Sequence, residues 1–275
     1  MKFKPEDQEA IRFFVQNGYV VYEGAHDLES IKQTAQWVLH KYAEHSTDDS
    51  TLDVNEWSCM MMDHFIRTDA GEKFIKNQAI TKIMQQYLGP DICVFNQDAL
   101  WVNVPKDTNP VLLKGIHTDA WTGTSVNTLF CKTFFTDVDE HNGMSVCPGS
   151  HLLGLVPVKN REVNAHADID LTVELLNLKD MKSGDVLIWH PLLLHSTTGH
   201  SDTNIRVSIT SRYTSTETPF TSQERALGYR TLSVGPMNQI LRIIGNDQLQ
   251  PFRTLGGFVG VDKRLKDLYT YSNYS

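Results

Sequence analysis

The alternation of apolar and polar positions divides this chain into a helical first third and a strand-rich remainder. Over residues 5–17, Ile11, Phe14 and Val15 recur at helical spacing, and Gly18 is placed to stop the helix. Tyr19-Val20-Val21-Tyr22 is a short β-prone run that ends at Gly24. A second helix is predicted from Leu28 to about Glu44, where Ile31, Ala35, Val38 and Leu39 make an apolar stripe and Asp27 stands at the N-cap. Residues 46–58 read as polar and turn-like, and another helical pattern covers about Glu72 to Leu88, closed by Gly89-Pro90.

Near residue 92 the texture changes. Ile92-Cys93-Val94-Phe95 and Ala99-Leu100-Trp101-Val102-Asn103-Val104 favour extended structure. The segments 113–120, 126–137, 144–147, 154–158, 185–190 and 204–214 are further strand candidates, separated by Asn-Gly, Pro-Gly and Ser-Gly turns. Many short strands with turns between them predict a sandwich or barrel. Helices are predicted to interrupt at about Leu171 to Leu178 and, in the tail, around Met237 to Ile244. The reading is one domain: a helical support over 1–90, a β core over 91–215, and a C-terminal extension over 216–275 that serves as a lid, a homodimer contact or an ordinary packing element.

Composition narrows the class. With 40% hydrophobic and 21% charged residues in a 275-residue chain, the protein is of an ordinary globular type. The net charge of −8 leaves no basic field to hold a polyphosphate, which argues against a nucleic-acid partner. The chain opens on Met1-Lys2-Phe3-Lys4-Pro5 and holds no long apolar run, so the expectation is a soluble, cytoplasmic protein without a membrane partner. Cys59, Cys93, Cys131 and Cys147 form no CxxC pair, and buried free thiols suit a reducing compartment.

Candidate chemistry starts at His117-Thr118-Asp119. On a strand, residues two apart share a face, so His117 and Asp119 can reach one metal ion. A His-x-Asp triplet alone is weak, because the chain holds three: His117/Asp119, His166/Asp168 and His200/Asp202. The latter two lie in polar, turn-like stretches, whereas Leu112-Leu113 and Ala120-Trp121 flank the first at the start of the β-rich body. Further on, Gly184-Asp185 feeds an apolar run, Val186 to Trp189, followed by His190 and His195, with Arg206 eleven residues beyond His195. Two His and one carboxylate on one side of an iron, with open positions opposite, is the arrangement of non-haem Fe(II) oxygenases. An Arg fork near such a site suits the far carboxylate of a dicarboxylic cosubstrate.

With Gly18-Tyr19-Val20-Val21, Asn142-Gly143, Cys147-Pro148-Gly149-Ser150-His151 and Gly184-Asp185 added in the same order, residues 5 to 215 resemble the phytanoyl-CoA dioxygenase family of Fe(II)- and 2-oxoglutarate-dependent oxygenases. The resemblance implies a mainly β fold with flanking helices, built on a double-stranded β-helix (a cupin-like jelly roll). It implies Fe(II) held by His117, Asp119 and His195, with His195 rather than His190 as the distal ligand because the interval to Arg206 fits only His195. It further implies that Arg206 pairs the 5-carboxylate of 2-oxoglutarate, that Ser208 on the same face adds a hydrogen bond, and that Lys132 is either a second contact or a solvated strand lysine. The implied activity is a dioxygenase that consumes O2 and hydroxylates a C–H bond of a small molecule, releasing succinate and CO2. Desaturation or cyclisation, and a non-catalytic cupin-like binder, are the alternatives. Related halogenases carry a small residue where this chain keeps Asp119. Trp57, Trp101, Trp121 and the segment Trp57 to Arg67 either line the pocket or belong to the core.

Overall fold

A large antiparallel sheet with two unlike faces organises the protein, one face covered by helices and the other turned toward a smaller sheet. The computed structural model describes residues 1–47, 54–95, 99–104, 115–119, 127–154, 156, 158–159, 162–163, 174–197, 204–215 and 241–244. The triplets His166/Asp168 and His200/Asp202, and Trp121, lie outside them.

Among the described residues five helices precede the β body: α1 Glu9–Asn17, α2 Leu28–Thr47, α3 Val54–Phe65, α4 Asp69–Ile75 and α5 Gln78–Leu88. The expected start of the first helix at residue 5 is too early, and its stripe is Ala10 and Phe14, with Val15 60% exposed. Gly18 caps it in the left-handed conformation, its N–H bonded to Phe14 O. Asp27 accepts from Ser30 N at the start of α2, as its position predicts. The turn-like reading of 46–58 is corrected by α3, and the single helix over 72–88 is in fact two. Asn77 breaks it: its side chain accepts from Ile80 N and caps α5.

The strands are β1 Tyr19–Tyr22, β2 Ile92–Phe95, β3 Ala99–Asn103, β4 Thr128–Phe134, β5 Met144–Val146, β6 Val158–Lys159, β7 Glu162–Val163, β8 Leu176–Leu178, β9 Val186–Trp189, β10 His195–Thr197, β11 Arg206–Ser215 and β12 Leu241–Ile244. The large sheet runs β1-β9-β4-β11-β2-β12, with β3 also paired to β11, and the small one runs β10-β5-β8. All these pairs are antiparallel. This is the expected jelly-roll core. The helices expected at 171–178 and 237–244 are corrected by β8 and β12, whose described residues pair with β5 and β2. A 3-10 turn, Ser150–Leu153, directly precedes the expected strand 154–158, of which Val158 alone is in a described strand, β6.

Alternation along each strand decides which layer a side chain joins. Val20, Tyr22, Val186, Ile188, Leu129, Cys131, Val207 and Ile209 pack outward against Phe14, Ile31, Val38, Trp57, Phe65, Ile80 and Met84 of the helices. Trp57, a candidate pocket residue, therefore belongs to this outer core. Tyr19, Val21, Phe130, Phe134, Leu187 and Trp189 point the other way and meet Met144, Val146 and Leu178 of the small sheet. Cys93 and Cys131 are buried free thiols. No described helix is long and apolar enough to cross a membrane.

One buried histidine links the layers. Asn77 Nδ2 donates to His26 Nδ1 (3.1 Å), which leaves the Nε2 hydrogen to reach Thr133 Oγ1 (3.0 Å), while Phe74 stacks on the ring. Protonation would set an N–H against the Asn77 amide in a dry site, and burial pushes the pKa of His26 down to about 4. The unfolded chain then binds a proton that the folded protein refuses. The stability His26 allows is complete above about pH 6.5 and is lost as the pH falls toward about 4, by about 3 kcal/mol in all. Denaturant unfolding at several pH values should show this loss in the unaltered protein and not in His26→Gln.

Candidate metal centre

The centre forms where the chain leaves the large sheet for the small one. After Trp189 a tight turn, closed by Leu193 N donating to His190 O (2.9 Å), reverses the chain into β10. His195 opens that strand and makes an isolated antiparallel bridge to His117, each backbone N–H donating to the other's carbonyl at 2.9 Å. His117 and Asp119 are thus not carried on a regular strand, as expected, but on a segment pinned at one bridge. A further bond from Asp119 N to Pro191 O (2.9 Å) fixes the carboxylate end of that segment.

The three side chains converge. Their ligand-capable atoms lie within 4.8 Å of one another, and all three residues are buried. His117 Nδ1 lies 2.7 Å from Gly115 O and His195 Nδ1 lies 2.9 Å from Leu193 O. A carbonyl only accepts, so each Nδ1 carries a hydrogen and each ring turns its Nε2 toward Asp119. The separations are 3.9 Å from His117 Nε2 to Asp119 Oδ1 and 3.4 Å from His195 Nε2 to Asp119 Oδ2. Such backbone acceptors behind metal-ligating histidines orient the rings. His190 takes no part: its Nδ1 accepts from Leu192 N, and its ring faces His151.

The turn motifs serve this geometry. Cys147 N donates to Leu194 O, and Ser150 Oγ accepts from Leu194 N (2.8 Å), so the Pro148-Gly149-Ser150 turn clamps the residue next to His195. That turn is held in its place by Gly149 N donating to Asn17 O and by His151 Nε2 donating to Val15 O (3.0 Å). A Cβ on Gly18 would run into the His151 ring, and the Gly18 φ of +76° is left-handed, so only glycine fits between α1 and the turn. Asp185 ties the start of β9 by accepting from Lys182 N, Gly24 N and Lys2 Nζ.

On the inner face of β11, Arg206, Ser208 and Thr210 follow one another at a period of two. Arg206, 1% exposed, donates through Nε and Nη2 to Asn103 Oδ1 (3.2 and 2.7 Å) and through Nη1 to the carbonyls of Asn142 and Gly143. Every one of these partners is neutral, and among the described residues no carboxylate pairs with Arg206. Burial lowers its pKa to about 10, which leaves it charged at neutral pH. Ser208 Oγ and Thr210 Oγ1 are buried without a hydrogen-bond partner among the described residues. Lys132 on β4 pairs in register with Thr210, is 5% exposed, and has its ammonium 5.5 Å from the centre of the Trp101 ring. It is not the solvated strand lysine of the alternative reading. A buried cation beside orphaned hydroxyls is the chemistry of an anion site.

Three participants escaped the sequence reading. Thr210 was legible as the next inward position after Ser208. Asn103 and Trp189 were not, because pairings across 103 and 70 residues leave no local pattern; Trp189 Nε1 donates to Asp119 Oδ2 at 3.0 Å.

The profile of the phytanoyl-CoA dioxygenase (PhyH) family matches residues 14–208. No curated protein sequence matches the chain. Similar solved structures include the epimerase SnoN in complex with Fe3+, alpha ketoglutarate and nogalamycin RO, at 16% identity and TM-score 0.62, covering 83% of this chain and 91% of that one. The non-heme alpha ketoglutarate dependent carbocyclase SnoK from nogalamycin biosynthesis aligns at 19% identity and TM-score 0.60 over 89% of this chain and 99% of its own. The apo non-heme monooxygenase ThoJ aligns at 18% identity and TM-score 0.57, over 74% and 76% respectively.

Proposed function

The chain belongs to the phytanoyl-CoA dioxygenase family, and from that membership and the geometry above we propose that it is an Fe(II)- and 2-oxoglutarate-dependent oxygenase that hydroxylates a C–H bond of a small molecule. The observation that carries this reading is the presence of two buried sites between the large and the small sheet, one reached by Trp189 of β9 and the other built on Arg206 of β11. One is a buried His-Asp-His cluster whose two imidazole Nε2 atoms converge on a carboxylate. The other is a buried Arg206 with only neutral partners beside two orphaned hydroxyls.

Both groups fit the residues present. His117 and His195 would hold iron through Nε2 and Asp119 through its carboxylate, a donor set suited to Fe(II) with positions left open. Arg206 would take the far carboxylate of 2-oxoglutarate, with Ser208 and Thr210 donating their hydroxyl hydrogens and Lys132 adding charge. Bound iron with 2-oxoglutarate supplies the activation of O2: the cosubstrate is oxidised to succinate and CO2, one oxygen atom goes to succinate and the other to the substrate C–H bond. The chain's own part is positional. Tyr19, Phe130, Trp189 and Leu193 wall the inner face with apolar surface and exclude water from it. His117 and His195 keep their Nδ1 hydrogens on backbone carbonyls, so neither ring can turn its ligating nitrogen away.

The test is Fe(II)-dependent conversion of 2-oxoglutarate to succinate by the purified chain, followed by mass analysis of products from a panel of small metabolites. Gain of one oxygen atom identifies hydroxylation. Loss of two hydrogens or closure of a ring identifies the desaturating or cyclising alternative. Binding of 2-oxoglutarate with no succinate under any condition identifies a non-catalytic binder.

A further inference from the structure

We propose that Trp189 is a positioning residue for the metal ligand Asp119, holding it as a one-oxygen ligand through the hydrogen bond from the indole Nε1 to Oδ2. The inference rests on the metal-site reading above and adds to it a residue that the donor set alone does not name.

Asp119 lies on a segment outside any strand, joined to the sheet frame by its own N–H and the nearby bridge at His117. Trp189, by contrast, is held on several sides. Its backbone pairs on both sides, with Tyr19 of β1 and Phe130 of β4. Its ring stacks on Phe130, with centroids 5.3 Å apart and planes 20° apart, and lies 5.5 Å from the ring of His195. The indole is 3% exposed and cannot swing without opening the inner core. Its N–H is a donor only, so it cannot compete for a cation. The bond to Oδ2, 3.0 Å long and buried, therefore fixes the carboxylate from the more rigid partner.

The consequence follows from counting donors. A carboxylate that binds through both oxygens fills one position more than a carboxylate that binds through one. The indole N–H takes one lone pair of Oδ2, which weakens that oxygen as a donor and leaves Oδ1 as the better ligand. The position saved stays open for cosubstrate or O2. Hydrogen bonds to ligating carboxylates commonly change metal affinity by about 10- to 100-fold.

The probe is Co(II), titrated anaerobically into the full chain in the absence of substrate, read by its dissociation constant and its visible d–d spectrum. Trp189→Phe keeps a ring and deletes the donor. Benzothienylalanine at position 189 keeps the bicyclic shape and replaces N–H by sulfur, so it reports even if Trp189→Phe does not fold. Both should weaken Co(II) binding by about 10- to 100-fold and alter the d–d bands. In an Asp119→Ala background the same changes should move the affinity by no more than about twofold, because the residue they act through is gone. An unchanged affinity and spectrum, or equal weakening with and without Asp119, overturns the role of Trp189. If the unaltered chain binds Co(II) no better than Asp119→Ala, the metal-site reading itself falls. That outcome is distinct from one in which Asp119 matters and Trp189 does not.

Discussion

Succinate formation should fall by more than about 100-fold in Asp119→Ala, since removing a ligand exceeds the 10- to 100-fold effect of removing a group that merely supports one. Asp119 is the only carboxylate in the three-residue cluster, and the two histidines beside it are neutral donors when they bind metal. Without it a divalent cation keeps two nitrogens and no compensating charge. Asp119→Ala also leaves the buried Trp189 Nε1–H without its acceptor, which costs about 1–3 kcal/mol of stability. Asp119→Asn separates the two effects: its amide oxygen can still accept from Trp189, so the fold should keep its denaturation midpoint while Fe(II) affinity and turnover are lost together. Turnover above one tenth of the unaltered rate in either variant would move the metal away from this cluster.

That cluster was legible in the sequence because its parts are spaced by local geometry. His117 and Asp119 are two residues apart, and Arg206, Ser208 and Thr210 repeat the same period along β11. The expectation that His117 and Asp119 ride on a regular strand was wrong in detail, yet the backbone bridge to His195 produces the same convergence. The turn motifs were legible as punctuation, and the structure supplies a cause for each: Ser150 bonds Leu194 beside His195, the Asn142-Gly143 carbonyls hold Arg206, and Asp185 ties the start of β9. Gly143 is a second close approach, since a Cβ there would meet Leu178 O at 2.5 Å, and its carbonyl is one of the oxygens that hold Arg206.

The misread segments share a different cause. In α3 the apolar residues Trp57, Met61, Met62 and Phe65 lie at helical spacing, but the polar run before them made the segment look like a turn. Between α4 and α5 no glycine or proline marks the break; only the Asn77 side chain does, by capping Ile80 N. Leu176-Asn177-Leu178 has residues that suit a helix, and tertiary pairing with β5 overrides them. Trp189 reads correctly as a buried strand residue, and nothing local distinguishes a packed indole from one that also holds a carboxylate. Long-range polar contacts of this kind decide the chemistry here and are invisible to periodicity.

Arg206→Lys should weaken 2-oxoglutarate binding by at least about 30-fold while leaving metal binding intact. Arg206 touches none of the three clustered ligands; its hydrogen bonds run to Asn103, Asn142 and Gly143. Lysine keeps the charge but not the planar fork, so it cannot span the same acceptors and a carboxylate at once. Truncating one partner of a buried, hydrogen-bonded charge pair costs about 2–5 kcal/mol, or a 2-oxoglutarate affinity lower by about 30-fold to several thousand-fold. The dissociation constant for Co(II) should stay within about twofold of the unaltered value, because the sites do not share a residue. Thermal stability offers an independent reading. At a concentration 100 times its dissociation constant, 2-oxoglutarate adds about 2.7 kcal/mol to the metal-loaded protein and raises its Tm. The same concentration should add less than about 1 kcal/mol to Arg206→Lys. Since burial lowers the pKa of Arg206 only to about 10, the guanidinium is charged throughout the neutral range and contributes no pH dependence to cosubstrate affinity below about pH 9. If metal-loaded Arg206→Lys binds 2-oxoglutarate as well as the unaltered chain does, the anion is held elsewhere. Lys132, the other buried cation of the inner face, then becomes the residue to replace.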